Sequence, residues 1–116
     1  MSKRGDPELV SDIMEAIVRI EHYTKDVSYG EFLSDTKTQD AIIRNIEVIG
    51  EAVKNISGDF KKGHKSIGWK NIAGMGDKLV HQYFGMNLEI VWDVVTNKIP
   101  ELKISINKLS EKMKSE

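Results

Sequence analysis

The sequence predicts an all-α protein, an antiparallel bundle of four to five helices, on three observations. Proline occurs only at Pro7 and Pro100, so long interior stretches carry no helix breaker. Apolar residues recur at spacings of three and four through most of the chain, which lays one apolar stripe along each helix. No segment alternates apolar and polar residues for long enough to make a strand. Helices with one apolar stripe bury it against each other, and a chain of 116 residues does so as one domain spanning residues 1–116.

The first helix begins at Asp6-Pro7, a capping side chain followed by a residue whose missing N–H is harmless in the first turn. Leu9, Ile13, Ile17 and Ile20 carry its stripe to about Tyr23. Tyr29 to Ser34 is a loop with room for one helical turn. Asp35 or Thr36 caps the second helix, where Ile42, Ile46, Ile49, Val53 and Ile56 form the clearest stripe and Ser57-Gly58 closes it. Gly58 to Ser66 reads as a basic connection. Ile72, Met75, Leu79 and Tyr83 mark a third helix that ends near Gly85. Asn87 caps a fourth, with Leu88, Val91, Trp92, Val95 and Ile99 facing inward until Pro100 interrupts or kinks it. Leu102, Ile106, Leu109 and Met113 continue the stripe, and the Lys/Glu-rich end from Lys108 reads as a fraying helix. There is no internal repeat and no low-complexity tract.

Composition narrows the functional classes. Hydrophobic residues make up 40% of the chain and glycine adds nine more, the balance of a globular protein. No apolar run exceeds four residues, so no membrane helix is expected, and the first residues lack the apolar core of a signal peptide. A cytoplasmic location follows as the expectation. The absence of cysteine excludes disulfides, thiolate metal sites and a cysteine nucleophile. The net charge of −1 argues against a general nucleic-acid binder but is a sum of unlike parts. Residues 1–59 carry 7 Lys/Arg and 12 Asp/Glu, a net of −5. Residues 60–82 carry five lysines against Asp77, a net of +4, together with His64 and His81. Residues 83–116 balance at five against five. A solvated face is the plain reading of the basic block; a site for an anionic partner is the other.

Metal chemistry finds no support: His22, His64 and His81 share no helical i,i+4 spacing, and no metal or other cofactor is expected. Gly74-Met-Gly76 follows no strand and lacks the remaining residues of a phosphate loop. Nothing marks any serine as a nucleophile. The informative stretch runs from Gly74 to Gly85, where a histidine, a lysine and a tyrosine meet the basic block. Asp77 and His81 are i,i+4 and Lys78 and His81 are i,i+3, so both side chains reach one imidazole. A carboxylate there fixes the tautomer and favours the protonated ring, while a lysine supplies charge for a phosphate. That combination suits phosphodiester cleavage. A structural His81 with Asp77 as a surface partner is the alternative.

Arg44-Asn-Ile-Glu-Val-Ile-Gly-Glu-Ala52 and Trp69-Lys-Asn-Ile-Ala-Gly-Met-Gly-Asp-Lys-Leu-Val-His-Gln-Tyr-Phe-Gly85, followed by Trp92 and Ile99-Pro100-Glu-Leu102, resemble the HepT toxins of the HEPN superfamily. The likeness runs in order from about residue 9 to residue 110. It implies a helical HEPN bundle that dimerises and cleaves RNA without metal, as the toxin of a prokaryotic toxin–antitoxin pair. It also implies a partner, a minimal nucleotidyltransferase antitoxin of MntA type, that neutralises the toxin by adding AMP to the motif tyrosine, here Tyr83.

The family signature is Arg-x-x-x-x-His-x-Tyr. His81 and Tyr83 match it, while the arginine position holds Gly76. In the family picture the histidine serves proton transfer and activation of the ribose 2′-OH, and the arginine binds phosphate at a cleft between two subunits. Loss of such a charge-stabilising donor lowers rates by about 10²–10³. Gly76 also carries a helix penalty of about 1 kcal/mol relative to alanine, so local propensity supplies no reason for it. Three explanations stand: an inactivated toxin, a natural member that binds without cutting, or Lys78 taking over the charge as a point cation without the arginine fork. The competing class is a non-catalytic binding module that holds a nucleotidyltransferase or a nucleic acid.

On an ideal helix, positions 76 and 81 lie about 140° apart and 81 and 83 about 200° apart, so His81 and Tyr83 share one cleft only if the helix loosens near Gly85. Arg44 and Glu51 share a helix face and suit either an ion pair with the basic stretch that supports the cleft or a plain salt bridge within the bundle. Trp69, Trp92, Tyr29 and Phe84 read as core or interface rather than as base-stacking platforms.

Overall fold

In the computed structural model, which describes residues 5–81 and 87–114, with the backbone alone for residues 78–81, these stripes become helices. Two long ones, α1 (Asp6–Thr24) and α3 (Thr36–Asn55), are joined through the short α2 (Tyr29–Leu33). A second short helix, α4 (Gly58–Gly63), leads to α5 (Trp69–His81). The last third is α6 (Leu88–Asp93), a π-helical turn (Val94–Lys98) and α7 (Ile99–Lys114). No strand occurs among the described residues. The all-α expectation holds.

Helix α3 is the centre of the packing, with α1 on one side and α5 on another, while α7 lies along α1. Its position follows from its sequence: Ile42, Ile46, Ile49 and Val53 are essentially without exposure, and they meet Ile13, Ile17 and Ile20 of α1 in one core. Each such side chain contributes about 1.5–3 kcal/mol by leaving water. Antiparallel pairing is fixed by polar contacts at the helix ends. Both carboxylate oxygens of Asp6, in the first turn of α1, accept hydrogen bonds from Ser57, just past the end of α3, at 2.8 and 2.7 Å. Likewise Lys103, early in α7, donates to Glu21, late in α1, at 2.9 Å.

Several element ends differ from the sequence reading. Asp6 is not the cap of α1; Gly5 takes that position without a side-chain bond, and the Asp6 carboxylate is committed to Ser57 instead. Asp35 caps α3, accepting from the Thr38 N–H at 3.1 Å, as one of the two expected candidates. The Tyr29–Ser34 loop does hold a helical turn, set by a reciprocal capping box between Ser28 and Glu31. Ser57 caps the next helix rather than simply closing α3, and the basic connection is therefore partly helical, with Lys61 and Lys62 in the last turn of α4, where cations are favoured. Asn87 caps α6 as expected, accepting from the Glu89 N–H at 3.0 Å.

The interruption expected at Pro100 takes the form of a π-helical turn, and the chain stays helical through it. The Ile99 N–H donates to the Val94 carbonyl, one residue further back than in an α-helix. That widened turn lies immediately before Pro100, where the proline lacks a donor and its ring crowds the preceding turn, so α6 runs on into α7. Val91, Val95, Ile99, Leu102 and Ile106 stay buried across the junction. Among the described residues the two buried polar side chains are satisfied: Gln39 donates to the Phe32 carbonyl at 2.8 Å, and Asn45 to that of Ala41 at 2.8 Å.

Candidate active site

Helix α5 carries the residues that the sequence marks as chemical, and a tryptophan fixes its start. Trp69 is buried, its indole N–H donates to the His64 carbonyl at 3.1 Å, and its ring meets Phe60 edge-on. From that anchor α5 crosses α3 at a contact made of two glycines. A Cβ on Gly76 would lie 3.3 Å from the Gly50 Cα and 3.6 Å from the Ile46 carbonyl oxygen; a Cβ on Gly50 would lie 3.3 Å from the Gly76 Cα. The helices approach so closely because neither residue has a side chain. Gly76 therefore has the structural reason that helix propensity alone does not supply. It is a buried packing residue facing α3 rather than a gap in an open cleft.

One residue beyond that contact, Asp77 forms an ion pair with Lys54 of α3. The same lysine lies 3.8 Å from Glu51, so a cation sits between two carboxylates across the α3–α5 crossing. The Lys54 pKa is raised above the ordinary lysine value, chiefly by its hydrogen bond to Asp77, which outweighs the opposing effect of desolvation, and further by the charges of Asp77 and Glu51. All of these side chains remain substantially exposed.

The sequence-marked residues separate into three groups. Gly76 and Asp77 are at the crossing. Arg44 and Glu51 do not pair with each other: Arg44 is exposed and loosely paired with Glu47 at 4.0 Å, and Glu51 approaches Lys54. The ion pair from α3 to the basic stretch thus comes from Lys54, which the sequence reading did not single out. The third group is only partly described. His81 is the last residue of α5 that is described, one helical turn beyond Asp77 on the same face, and Lys78 lies one residue after Asp77, both with their backbones alone described. Tyr83, Phe84 and Gly85 lie outside the described residues, so the expected loosening near Gly85 does too. Trp92 packs in a tilted arrangement against Phe32 at a ring separation of 4.9 Å and against Tyr29 at 5.8 Å, so Trp92 and Tyr29 are partly buried against the core.

On another face of α5, a cleft of about 700 Å³ opens towards α6 and α7. Ile72, Met75, Ile90 and Leu102 line it, with charges of both signs at its margin from Lys70, Lys98, Asp93 and Glu101. Among the described residues no cluster of three metal-ligating side chains occurs, and no helix is long and apolar enough to cross a membrane.

Comparison with known proteins gives this arrangement a family. A family model described as ribonuclease HepT-like matches residues 13–109. The chain is 47% identical over 107 residues to the probable ribonuclease HepT of Thermococcus cleftensis, covering 92% of this chain and 97% of that protein. It is 48% identical over 100 residues to a candidate RNase of Methanocaldococcus jannaschii, covering 86% of this chain and 83% of the other. A further candidate RNase, from Caldanaerobacter subterraneus, is 40% identical over 112 residues, or 97% of this chain and 99% of the other. No solved structure matches. With the matched region running from Ile13 in α1 to Leu109 in α7, the crossing of α3 and α5 included, the chain belongs to the ribonuclease HepT-like family of the HEPN superfamily.

Proposed function

We propose that this chain is a metal-independent endoribonuclease of HepT type, working as a homodimer in the cytoplasm as the toxin of a toxin–antitoxin pair. The observation that carries the reading is the family match over 13–109, which takes in His81 at the end of α5 with Asp77 one turn before it. In the reaction, His81 removes the proton of a ribose 2′-OH. The 2′-oxygen attacks the adjacent phosphorus, the P–O5′ bond breaks, and a proton is delivered to the leaving 5′-oxygen. The products are a 2′,3′-cyclic phosphate and a 5′-hydroxyl. No step needs a metal, because the charge that builds on phosphorus is met by cations of the protein.

Catalysis in this chain is lowered by glycine at position 76, and the Gly50–Gly76 contact supports reading that glycine as a native packing residue rather than an inactivating change. A second protomer would be seated at the apolar cleft beside α5, whose margin carries charges of both signs. Neutralisation proceeds by transfer of AMP from ATP to the Tyr83 hydroxyl, with release of pyrophosphate, catalysed by an MntA-type nucleotidyltransferase.

The test compares the unaltered chain, Gly76→Arg and His81→Ala for RNA cleavage in the presence of EDTA and for growth arrest on expression. Cleavage is expected to rise with arginine at 76 and to vanish with alanine at 81. A folded, dimeric Gly76→Arg protein that stays inert, or cleavage indifferent to His81→Ala, overturns the reading. Mass spectrometry after incubation with ATP and the partner is expected to place the added AMP on Tyr83; AMP on another residue, or none with an active partner, refutes that part.

A further inference from the structure

We propose that Lys54 is a phosphate-contacting residue of the RNA site, supplying from α3 the cation that position 76 of α5 lacks. The proposal rests on the ribonuclease reading above. Its observation is a juxtaposition: two glycines bring α3 and α5 together, and Lys54, one turn after Gly50, reaches Asp77, the neighbour of Gly76.

Three physical points carry it. First, the Lys54 ammonium, though carried by α3, meets α5 at Asp77, one turn before His81, so a phosphate held there is about one turn from the proton-transfer residue. Second, the Lys54 and Asp77 side chains are 41% and 48% exposed, so the ammonium is open to an incoming phosphate rather than sealed in the bundle. An exposed pair of this kind contributes little to stability, which makes exchange of Asp77 for a phosphate oxygen inexpensive. Third, the Gly76 Cβ direction points at α3, so a side chain built there and a side chain reaching across from α3 occupy the same crossing. The carboxylates of Glu51 and Asp77 face the same ammonium and hold it charged, with Asp77 as the partner that RNA displaces.

A purely structural strut between α3 and α5 is the rival account, and the two differ in sign at Asp77. Binding of a fluorescein-labelled single-stranded RNA of mixed sequence, followed by anisotropy at several salt concentrations, reads the difference. Lys54→Ala and Lys54→Gln are expected to weaken binding about fivefold to tenfold and to reduce the salt slope by about 0.7 per lost contact. Lys54→Arg keeps the affinity. Asp77→Asn, which frees the ammonium and removes a repelling charge, tightens binding about twofold to threefold; a strut makes Asp77→Asn lose as much as Lys54→Ala. In a Gly76→Arg background the loss on removing Lys54 shrinks, because two cations then serve one phosphate.

Lys54→Ala binding and cutting RNA like the unaltered chain overturns the proposal while leaving the ribonuclease reading in place. Equal losses from Lys54→Ala and Asp77→Asn also overturn it. Cleavage indifferent to His81→Ala overturns the ribonuclease reading and this proposal with it, as does an unaltered chain that neither binds nor cuts RNA. Circular dichroism of each variant identifies any that fail to fold, and Lys54→Arg then decides: normal affinity supports the proposal, and a fivefold loss with the fold intact refutes it.

Discussion

Glycine occurs twice in the middle of α5, and alanine at the two positions has opposite expected effects. At Gly74 an added Cβ meets nothing within 4 Å beyond its chain neighbours and the backbone of its own helix, so Gly74→Ala gains the helix preference of alanine over glycine, about 1 kcal/mol. At Gly76 the same gain is available, but the Cβ would lie 3.3 Å from the Gly50 Cα. Carbon atoms pack best at about 3.5–4.0 Å, so α3 and α5 have to part by a few tenths of an ångström. Overpacking of that order costs about 1–3 kcal/mol, and it acts at the contact between the central helix and α5. Gly76→Ala is therefore expected to range from neutral to about 2 kcal/mol less stable than the unaltered chain. The two alanine variants should differ by about 1–3 kcal/mol, or about 4–12 °C in Tm for a domain of this size. Thermal melting followed at 222 nm, with urea titration as a second measure, reads the difference. Gly76→Arg is expected to lose at least as much stability as Gly76→Ala, so any activity it gains comes with a lower Tm. If Gly76→Ala stabilises as much as Gly74→Ala, the helices do not touch at position 76 and the account of that glycine fails.

Three further outcomes follow from side chains away from the site. Glu31 is held below its ordinary pKa chiefly by the Ser28 backbone N–H, and Asp35 chiefly by the Thr38 hydroxyl. Both folded values are depressed, so the stability they add is present above the unfolded carboxylate range near pH 4 and is lost as pH falls through the folded values. Combining Glu31→Gln, which removes one titrating carboxylate, with Thr38→Val should flatten the fall in Tm between about pH 5 and pH 3; an unchanged slope counts against this. Gln39→Leu removes a buried donor to the Phe32 and Leu33 carbonyls, and a loss of about 1–3 kcal/mol in urea unfolding is expected, with a loss below 0.5 kcal/mol contradicting it. Asp26 sits at φ 59, where a Cβ is strained, so Asp26→Gly should be neutral or stabilising by up to about 1 kcal/mol while Asp26→Val destabilises; the reverse order would falsify the strain.

The long helices were legible because each has a stripe whose spacing is local; the stripes of α1 and α3 are buried throughout, and Val10, Ala16, Ile43 and Ala52 join the core beside them. What was not legible depends on what a residue meets elsewhere. Asp6 has the form of a cap, but its carboxylate is used by Ser57, 51 residues away. Gly58–Gly63 is short and has a glycine at each end, so it does not announce a helix, and it forms one because Ser57 caps it and Phe60 packs against the core. Pro100 reads as an interruption or a kink, and the periodicity gives no sign that the turn before it widens to let the helix run on.

Lys54 was hidden for a related reason. It belongs by sequence to the acidic half of the chain, so a running charge sum assigns it to the wrong surface, although its partner lies in the basic block. The available signal was Gly50, a glycine inside a long apolar-striped helix, with Lys54 one turn further on the same face. Gly50 and Gly76 also make the residues at 54 and 76 interdependent. Glycine at both crossing positions lets α3 come close enough to deliver an ammonium to Asp77. A side chain at 76 pushes α3 away while adding a charge of its own from α5. The crossing thus has two ways of presenting a cation beside the helix that bears His81, and the same 3.3 Å contact that permits one hinders the other.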